Sequence, residues 1–325
     1  MIYVSFFIGL FLICKGGDWF VDAASKLSEA LGIPKYVIGA TIVSFATTMP
    51  EIIVSVAAAL RGHSVMAMGN AVGSVSANTG IILAFSLFFL PVAIQREDYF
   101  LKTVLYLGTL LMLLLSFRDN VFDKSDCFLL LIAGILFLTE NVKNAFRVKK
   151  NFQSRAKNKT DKEINKRSNK KIQNPIAIWK IFCWFCIGAI CIVSGSELLV
   201  RSACEIAQKL HISEDIISVT IVAMGTSLPE LVTTITAIIK KESSLSVGNI
   251  VGANMIDSAF ILPICTLLSG ERLPVSMQMA KIDMPLCIII SVCALLPMLV
   301  RKKIKRRDGI VVFIIYAGYL LYICK

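Results

Sequence analysis

Three acidic residues, Glu51, Glu230 and Asp257, sit in apolar sequence that offers them no basic partner. Residues 37–60 and 216–239 contain no Lys or Arg, and segments 64–92 and 243–269 carry a single charge between them, Asp257. At bilayer depth each such group costs about 2.5–3.5 kcal/mol to insert. A salt bridge would relieve that cost, but these segments supply none. Protonation could serve one state, yet it does not explain two glutamates at matching positions. A bound cation neutralises them directly. The surrounding side chains suit one. Ser44, Thr48, Glu51 and Ser55 follow i, i+4, i+7, i+11 spacing and share a helix face, and Ser227, Glu230 and Thr234 repeat the pattern. Asn70, Ser74 and Asn78 stand at i, i+4, i+8, and Asn249 and Asp257 occupy the corresponding places further on. Carboxylate, amide and hydroxyl oxygens without sulfur or imidazole favour Ca²⁺, Na⁺ or another hard cation. Pro50 and Pro229 immediately precede the glutamates. A proline withholds its own N–H from the helix ladder, so carbonyls near Thr47 and Thr226 become available as further ligands.

The elements that position these groups are written twice. Residues 44–78 and 223–257 align without a gap, at an offset of 179 (230 − 51 for the glutamates). The same offset joins Asn70 to Asn249 and Asn78 to Asp257, and it reaches back to Gly16 and Gly195, Asp18 and Glu197, and Ile33 and Ile212. Apolar segments at 2–26, 36–60, 64–92, 100–117, 125–142, 177–204, 215–239, 243–269, 280–300 and 309–324 predict ten helices, five per copy. An odd number per copy inserts the second copy upside down. The fold class expected is an all-α polytopic membrane protein of ten transmembrane helices in two inverted five-helix repeats. Its divisions are 1–142, a basic loop at 143–176, and 177–325, with site motifs at 39–84 and 218–263. Gly69, Gly73, Gly248 and Gly252 predict close helix contacts around the site.

Composition agrees. Hydrophobic residues make up 56% of the 325, above the usual share for a soluble domain. The first segment lacks a basic leader and a small-residue cleavage site and belongs to the repeat, so it reads as a retained helix. The net charge of +12 concentrates in 143–171 and in Arg301, Lys302, Lys303, Lys305, Arg306 and Arg307. In a ten-helix chain both clusters, with Lys240 and Lys241, fall on one side. The positive-inside rule makes that side cytoplasmic and places both termini outside, in a cell membrane of bacterial inner-membrane type. The central loop has no interleaved aromatics, so it reads as a topology determinant facing anionic lipid rather than as a nucleic-acid binder. The Asn158-Lys159-Thr160 sequon would lie on the wrong side for glycosylation. Ten cysteines fall mostly in apolar segments, and Cys183 and Cys186 flank Trp184 and Phe185 inside a helix, where they read as small hydrophobes. His63 and His211 stand at helix ends without metal-ligand spacing. No cofactor is indicated, and no feature bears on oligomeric state.

The paired motifs TTMPE with GNAVGSVSAN and GTSLPE with GNIVGANMID resemble the two alpha repeats of the sodium/calcium exchanger family, within the cation/Ca²⁺ antiporter superfamily. Length and a short central loop are most similar to its bacterial members. The resemblance implies four core helices around a central site, with a long first and sixth helix that slide across them. It implies Glu51 and Glu230 as shared Ca²⁺ carboxylates, with the Thr47 and Thr226 carbonyls completing the site. Thr48, Ser74, Asn78, Ser227 and Asp257 would serve Na⁺ or proton-linked positions. Thr48 stands where the family usually has Ser, Ala46 where it has Gly, and Val75 where it has Asn. Ala253 occupies the place of Ser74 and removes a possible Na⁺ ligand. The expected function is therefore Ca²⁺/Na⁺ antiport by alternating access, with exchange against H⁺ as the alternative. An intramembrane enzyme is the remote alternative, and no HExxH, DDxxD or GxSxG accompanies the acids. Tight acidic binding at a broken helix also disfavours a passive channel.

Overall fold

The computed structural model describes residues 2–89, 96–157, 175–209, 225–270, 272–301 and 306–323. Helices overlie all ten predicted segments, although the first part of the seventh, 215–224, lies outside the described residues. They are α1 (Ile2–Leu31), α2 (Lys35–Thr47), α3 (Met49–Leu60), α4 (Ser64–Phe89), α5 (Arg96–Ser116), α6 (Lys124–Lys157), α7 (Pro175–Lys209), α8 (Leu228–Ile239), α9 (Ser243–Ser269), α10 (Met284–Arg301) and α11 (Arg306–Ile323). Among the described residues six helical spans are long and apolar enough to cross a membrane. The α2–α3 pair, bent by 44°, makes a seventh when taken as one span. The chain is an all-helical membrane protein.

Burial separates a core from a lipid-facing shell. Within their apolar windows α9 is 83% buried and α4 67%, whereas α1 and α7 are 33% and 28% buried. Large apolar side chains such as Phe7, Phe128 and Leu321 are about two-thirds exposed on the outer helices, the inverse of a water-soluble surface. α1 and α7 pack against each other in antiparallel sense through glycines. A Cβ on Gly9 would stand 3.0 Å from the Gly195 carbonyl oxygen, and one on Gly16 would stand 3.0 Å from that of Gly188. Each of these four glycines has its repeat-mate in the same seam.

The turns fall into two groups. At one end Lys240, after α8, contacts Asp18 (3.5 Å) and Asp22 (2.7 Å) of α1, while Lys35 contacts Glu242 at 2.6 Å and Glu29 at 3.6 Å. In another group, β1 (Val121–Phe122), between α5 and α6, pairs antiparallel with β2 (Leu273–Pro274), after α9. The repeat also copies its turn geometry. Gly62 and its mate Lys241 are both left-handed, with φ of 80° and 59°. That conformation costs a non-glycine residue about 1–2 kcal/mol.

One boundary differs from expectation. The fifth segment continues as helix to Lys157 instead of ending near 142. Lys, Arg, Gln and Ala are strong helix formers and carry the α6 helix into polar sequence that an apolar-run criterion cannot follow. The remainder of the basic loop, 158–174, and His211 lie outside the described residues.

Candidate cation site

The bend between α2 and α3 centres on Thr48, whose φ and ψ are −82° and −1°; Ser227, its repeat-mate before α8, has −88° and 8°. Both lie in the sparsely used bridge region. Pro50 and Pro229 sit in the first turns of α3 and α8, where a missing N–H is tolerated. Glu51 and Glu230 thus stand in the first turns of two helices that begin inside the protein, where the helix dipole favours negative charge.

Thr48-Met49-Pro50-Glu51 and Ser227-Leu228-Pro229-Glu230 match the capping-box signature, in which the hydroxyl caps its own helix. Neither hydroxyl does so. Thr48 Oγ1 instead donates to Glu230 Oε1 at 3.1 Å, and Ser227 Oγ donates to Glu51 Oε1 at 3.2 Å. Each carboxylate is held by the hydroxyl of the other repeat. Both glutamates are fully buried, and Oε2 of each lacks a protein hydrogen-bond partner. Among the described residues no ion pair reaches Glu51, Glu230 or Asp257. Buried, unpaired carboxylate oxygens are the atoms a cation would recruit.

The third acid forms a separate pair. Asn78 Nδ2 donates to Asp257 Oδ2 at 3.4 Å, both residues are fully buried, and Asn78 Oδ1 and Asp257 Oδ1 are unpartnered. These repeat-mates each open a π-helical turn, Asn78–Leu83 and Asp257–Ile261. Such turns free backbone groups and recur at functional sites. Ser74 is buried one turn before Asn78, and Ala253 occupies the matching place on α9.

Thr47 and Thr226 are tied by amides from the opposite repeat. Thr47 Oγ1 donates to Asn249 Oδ1 at 3.2 Å and Thr226 Oγ1 to Asn70 Oδ1 at 3.4 Å. Asn70 Nδ2 also donates to Ser55 Oγ (2.8 Å) and to the Glu51 carbonyl (3.2 Å). Asn70 and Asn249, which sequence spacing offers only as oxygen donors, instead accept hydrogen bonds from the threonines beside the breaks. A second buried polar cluster centres on Asn254, whose repeat-mate is the apolar Val75. Asn254 donates to Thr79 at 2.8 Å and to Tyr106 at 3.3 Å, and the Tyr106 and Ser291 hydroxyls are 2.9 Å apart. The contrast between Val75 and Asn254 was the available signal.

The glycine expectation divides. A Cβ on Gly248 would meet the Tyr36 carbonyl oxygen at 2.3 Å, and one on Gly252 would meet Ser44 Oγ at 2.5 Å, so α9 touches α2 backbone to backbone. For Gly69 and Gly73 no described atom comes that close. Most of the segment equivalent to α2, 214–224, lies outside the described residues. Among the described residues no three His, Cys, Asp or Glu side chains converge as they would at a transition-metal site.

Because the two cross-repeat hydroxyls are equivalent, Thr48→Val and Ser227→Ala should weaken binding of a hard divalent cation similarly. Losing one hydrogen bond to a charged group, about 1.5 kcal/mol, corresponds to roughly a tenfold rise in Kd. Isothermal titration calorimetry would measure it. A change in one variant alone would break the equivalence.

A multi-helix membrane protein with buried, oxygen-rich acidic groups beside paired helix breaks belongs to the class of membrane cation-handling proteins. The family model described as sodium/calcium exchanger protein matches residues 1–142 and 180–325, and the chain belongs to that family. It is 29% identical to the sodium/calcium exchanger MaX1 of Methanosarcina acetivorans, over 99% of each chain. It is 32% identical to the inner membrane protein YrbG of Escherichia coli, covering 83% of this chain and 81% of that one. Among solved structures it is similar to the sodium-calcium exchanger NCX_Mj soaked with Na⁺ and Sr²⁺, with a TM-score of 0.82, 28% identity and 99% coverage of both chains.

Proposed function

We propose that this chain is a secondary active antiporter that exchanges Ca²⁺ for Na⁺ by alternating access at one midplane site. The reciprocal pair of hydrogen bonds, Thr48 to Glu230 and Ser227 to Glu51, carries the proposal. It joins each glutamate to the opposite repeat and leaves one oxygen of each buried carboxylate without a protein partner. Glu51 and Glu230 supply the charge for Ca²⁺, with the Thr47 and Thr226 carbonyls as further ligands. Thr48, Ser227, Ser74, Asn78 and Asp257 serve Na⁺ or proton-linked positions. Two carboxylates balance one Ca²⁺, so Ca²⁺ and a full set of Na⁺ compete for them. That competition is the coupling.

The architecture we assign is ten crossings in two inverted repeats, 1–142 and 177–325, joined by the basic segment 143–176. The antiparallel glycine seam of α1 and α7 supports it, because repeat-mates facing each other in opposite directions imply an in-plane pseudo-two-fold axis. Ten crossings also put β1 and β2 on the outer side together, consistent with their pairing. They put Lys35, Lys240 and Glu242 on the cytoplasmic side with the basic segments, in keeping with the positive-inside rule. Both termini then face outward from a bacterial-type cell membrane.

Exchange against H⁺ is the second reading. It is favoured by buried Ala253, which lacks the hydroxyl of Ser74, while Asp257 remains available to carry a proton. Proteoliposomes loaded with Na⁺ should accumulate ⁴⁵Ca²⁺, whereas a pH gradient alone should not drive uptake. Uptake driven only by the pH gradient would replace Na⁺ with H⁺ as the coupling ion.

A further inference from the structure

We propose that the cytoplasmic ends of α1 and α7 form a binding site for an anionic phospholipid headgroup. A groove of about 430 Å³ lies between the two helices, lined by Trp19, Asp22 and Lys26 of α1 and by Lys180, Ile181 and Trp184 of α7. Lys26 is in the last two turns of α1 and Lys180 in the first two of α7. Both lysines are exposed, and neither has an ion pair among the described residues. The acid in the groove, Asp22, is held at 2.7 Å by Lys240, which also contacts Asp18. The groove lining therefore carries two lysines, Lys26 and Lys180, against one carboxylate, Asp22, which Lys240 already engages.

The apolar part of the groove fits the same ligand. The Trp19 and Trp184 rings meet edge to face, with centroids 5.2 Å apart. Each is roughly two-fifths exposed, at 37% and 42%. Indoles favour the boundary between headgroups and acyl chains. α1 is 30 residues long. At about 1.5 Å per residue it is longer than a hydrocarbon core of about 30 Å, which leaves length for its lysine-bearing end to reach the headgroups. A lipid phosphate bracketed by Lys26 and Lys180 would lay its chains along Trp19, Trp184 and Ile181. Charge complementarity selects an anionic lipid over a zwitterionic one. The site is independent of the ion carried at Glu51 and Glu230.

The tryptophans report on it. The chain has three, and the third, Trp179, neighbours Lys180 on α7, so nearly all indole fluorescence arises at this end. The full chain, reconstituted in phosphatidylcholine vesicles, would be tested with a minor fraction of phosphatidylglycerol or of phosphatidylcholine, each carrying brominated acyl chains. Quenching should show about a tenfold preference for the anionic lipid. Lys26→Gln with Lys180→Gln should reduce that preference to parity, and Lys26→Arg with Lys180→Arg should keep it. Lys302→Gln with Lys303→Gln, which removes equal charge elsewhere, should also keep it. Equal quenching by both lipids in the unaltered chain, or an undiminished preference in the Lys26/Lys180 glutamine variant, would overturn the assignment.

Discussion

Glu51→Gln and Glu230→Gln should each abolish Ca²⁺ exchange while leaving a folded protein. Each substitution removes one of two carboxylates whose Oε2 has no protein partner. The remaining carboxylate then faces a divalent ion with half the compensating charge. Breaking a buried charge pair costs about 3–5 kcal/mol, which lowers Ca²⁺ affinity by more than about a hundredfold. The apo protein should fare differently. Glutamine Oε1 can still accept from Ser227 or Thr48, and a buried charge without a basic partner has been removed, so the Tm without ions should hold or rise. The Ca²⁺-induced stabilisation, about 2.7 kcal/mol at a hundred times Kd, should vanish in both variants. Flux in proteoliposomes and melting with and without Ca²⁺ separate loss of the site from loss of the fold. Ca²⁺ flux persisting in both glutamine variants would defeat the assignment of these two residues.

Much of this site could be read from the chain, for a physical reason. A carboxylate among apolar residues is costly wherever it sits, so Glu51, Glu230 and Asp257 stand out without any knowledge of their neighbours. The offset of 179 joins two of them and pairs the third with Asn78. Sequence could not say where the hydroxyls of Thr48 and Ser227 would point. Locally both belong to capping boxes, and only the approach of the other repeat turns them outward to the opposite glutamate. Asn70 and Asn249 were ambiguous for the same reason. An amide on a polar helix face can ligate an ion or hold a neighbour, and the threonine hydroxyls across the repeat boundary decide it. The π-helical turns at Asn78 and Asp257 left no trace in residue type. The Asn254 cluster did leave one, as a break in the internal symmetry at Val75. The extension of α6 to Lys157 escaped because an apolar run marks the membrane and not the helix.

Gly248→Ala should be among the most destabilising single methyl groups that could be added to the core. Its Cβ would sit 2.3 Å from the carbonyl oxygen of Tyr36 and 3.1 Å from the Tyr36 Cα. Those are backbone atoms that no rotamer change can move. α9 would have to withdraw from α2, and α2 runs directly into the break at Thr48. Overpacking of a tight interior costs about 1–3 kcal/mol when side chains can adjust. Here the upper end is expected, as a clear fall in Tm measured by size-exclusion melting in detergent. Gly39→Ala should behave alike, because its Cβ would lie 2.4 Å from the Leu245 carbonyl oxygen. Gly108→Ala on α5 is the control. Beyond its own helix backbone, no described atom lies within 4 Å of its Cβ, so better helix propensity should leave stability unchanged or raise it by up to about 1 kcal/mol. Since the same contact sets the position of α2, any folded Gly248→Ala protein should also bind Ca²⁺ more weakly, although residue 248 is not a proposed ligand. A Gly248→Ala variant that melts with the parent would mean that α9 and α2 do not meet at this distance. The placement of Thr48 opposite Glu230 would then need another cause.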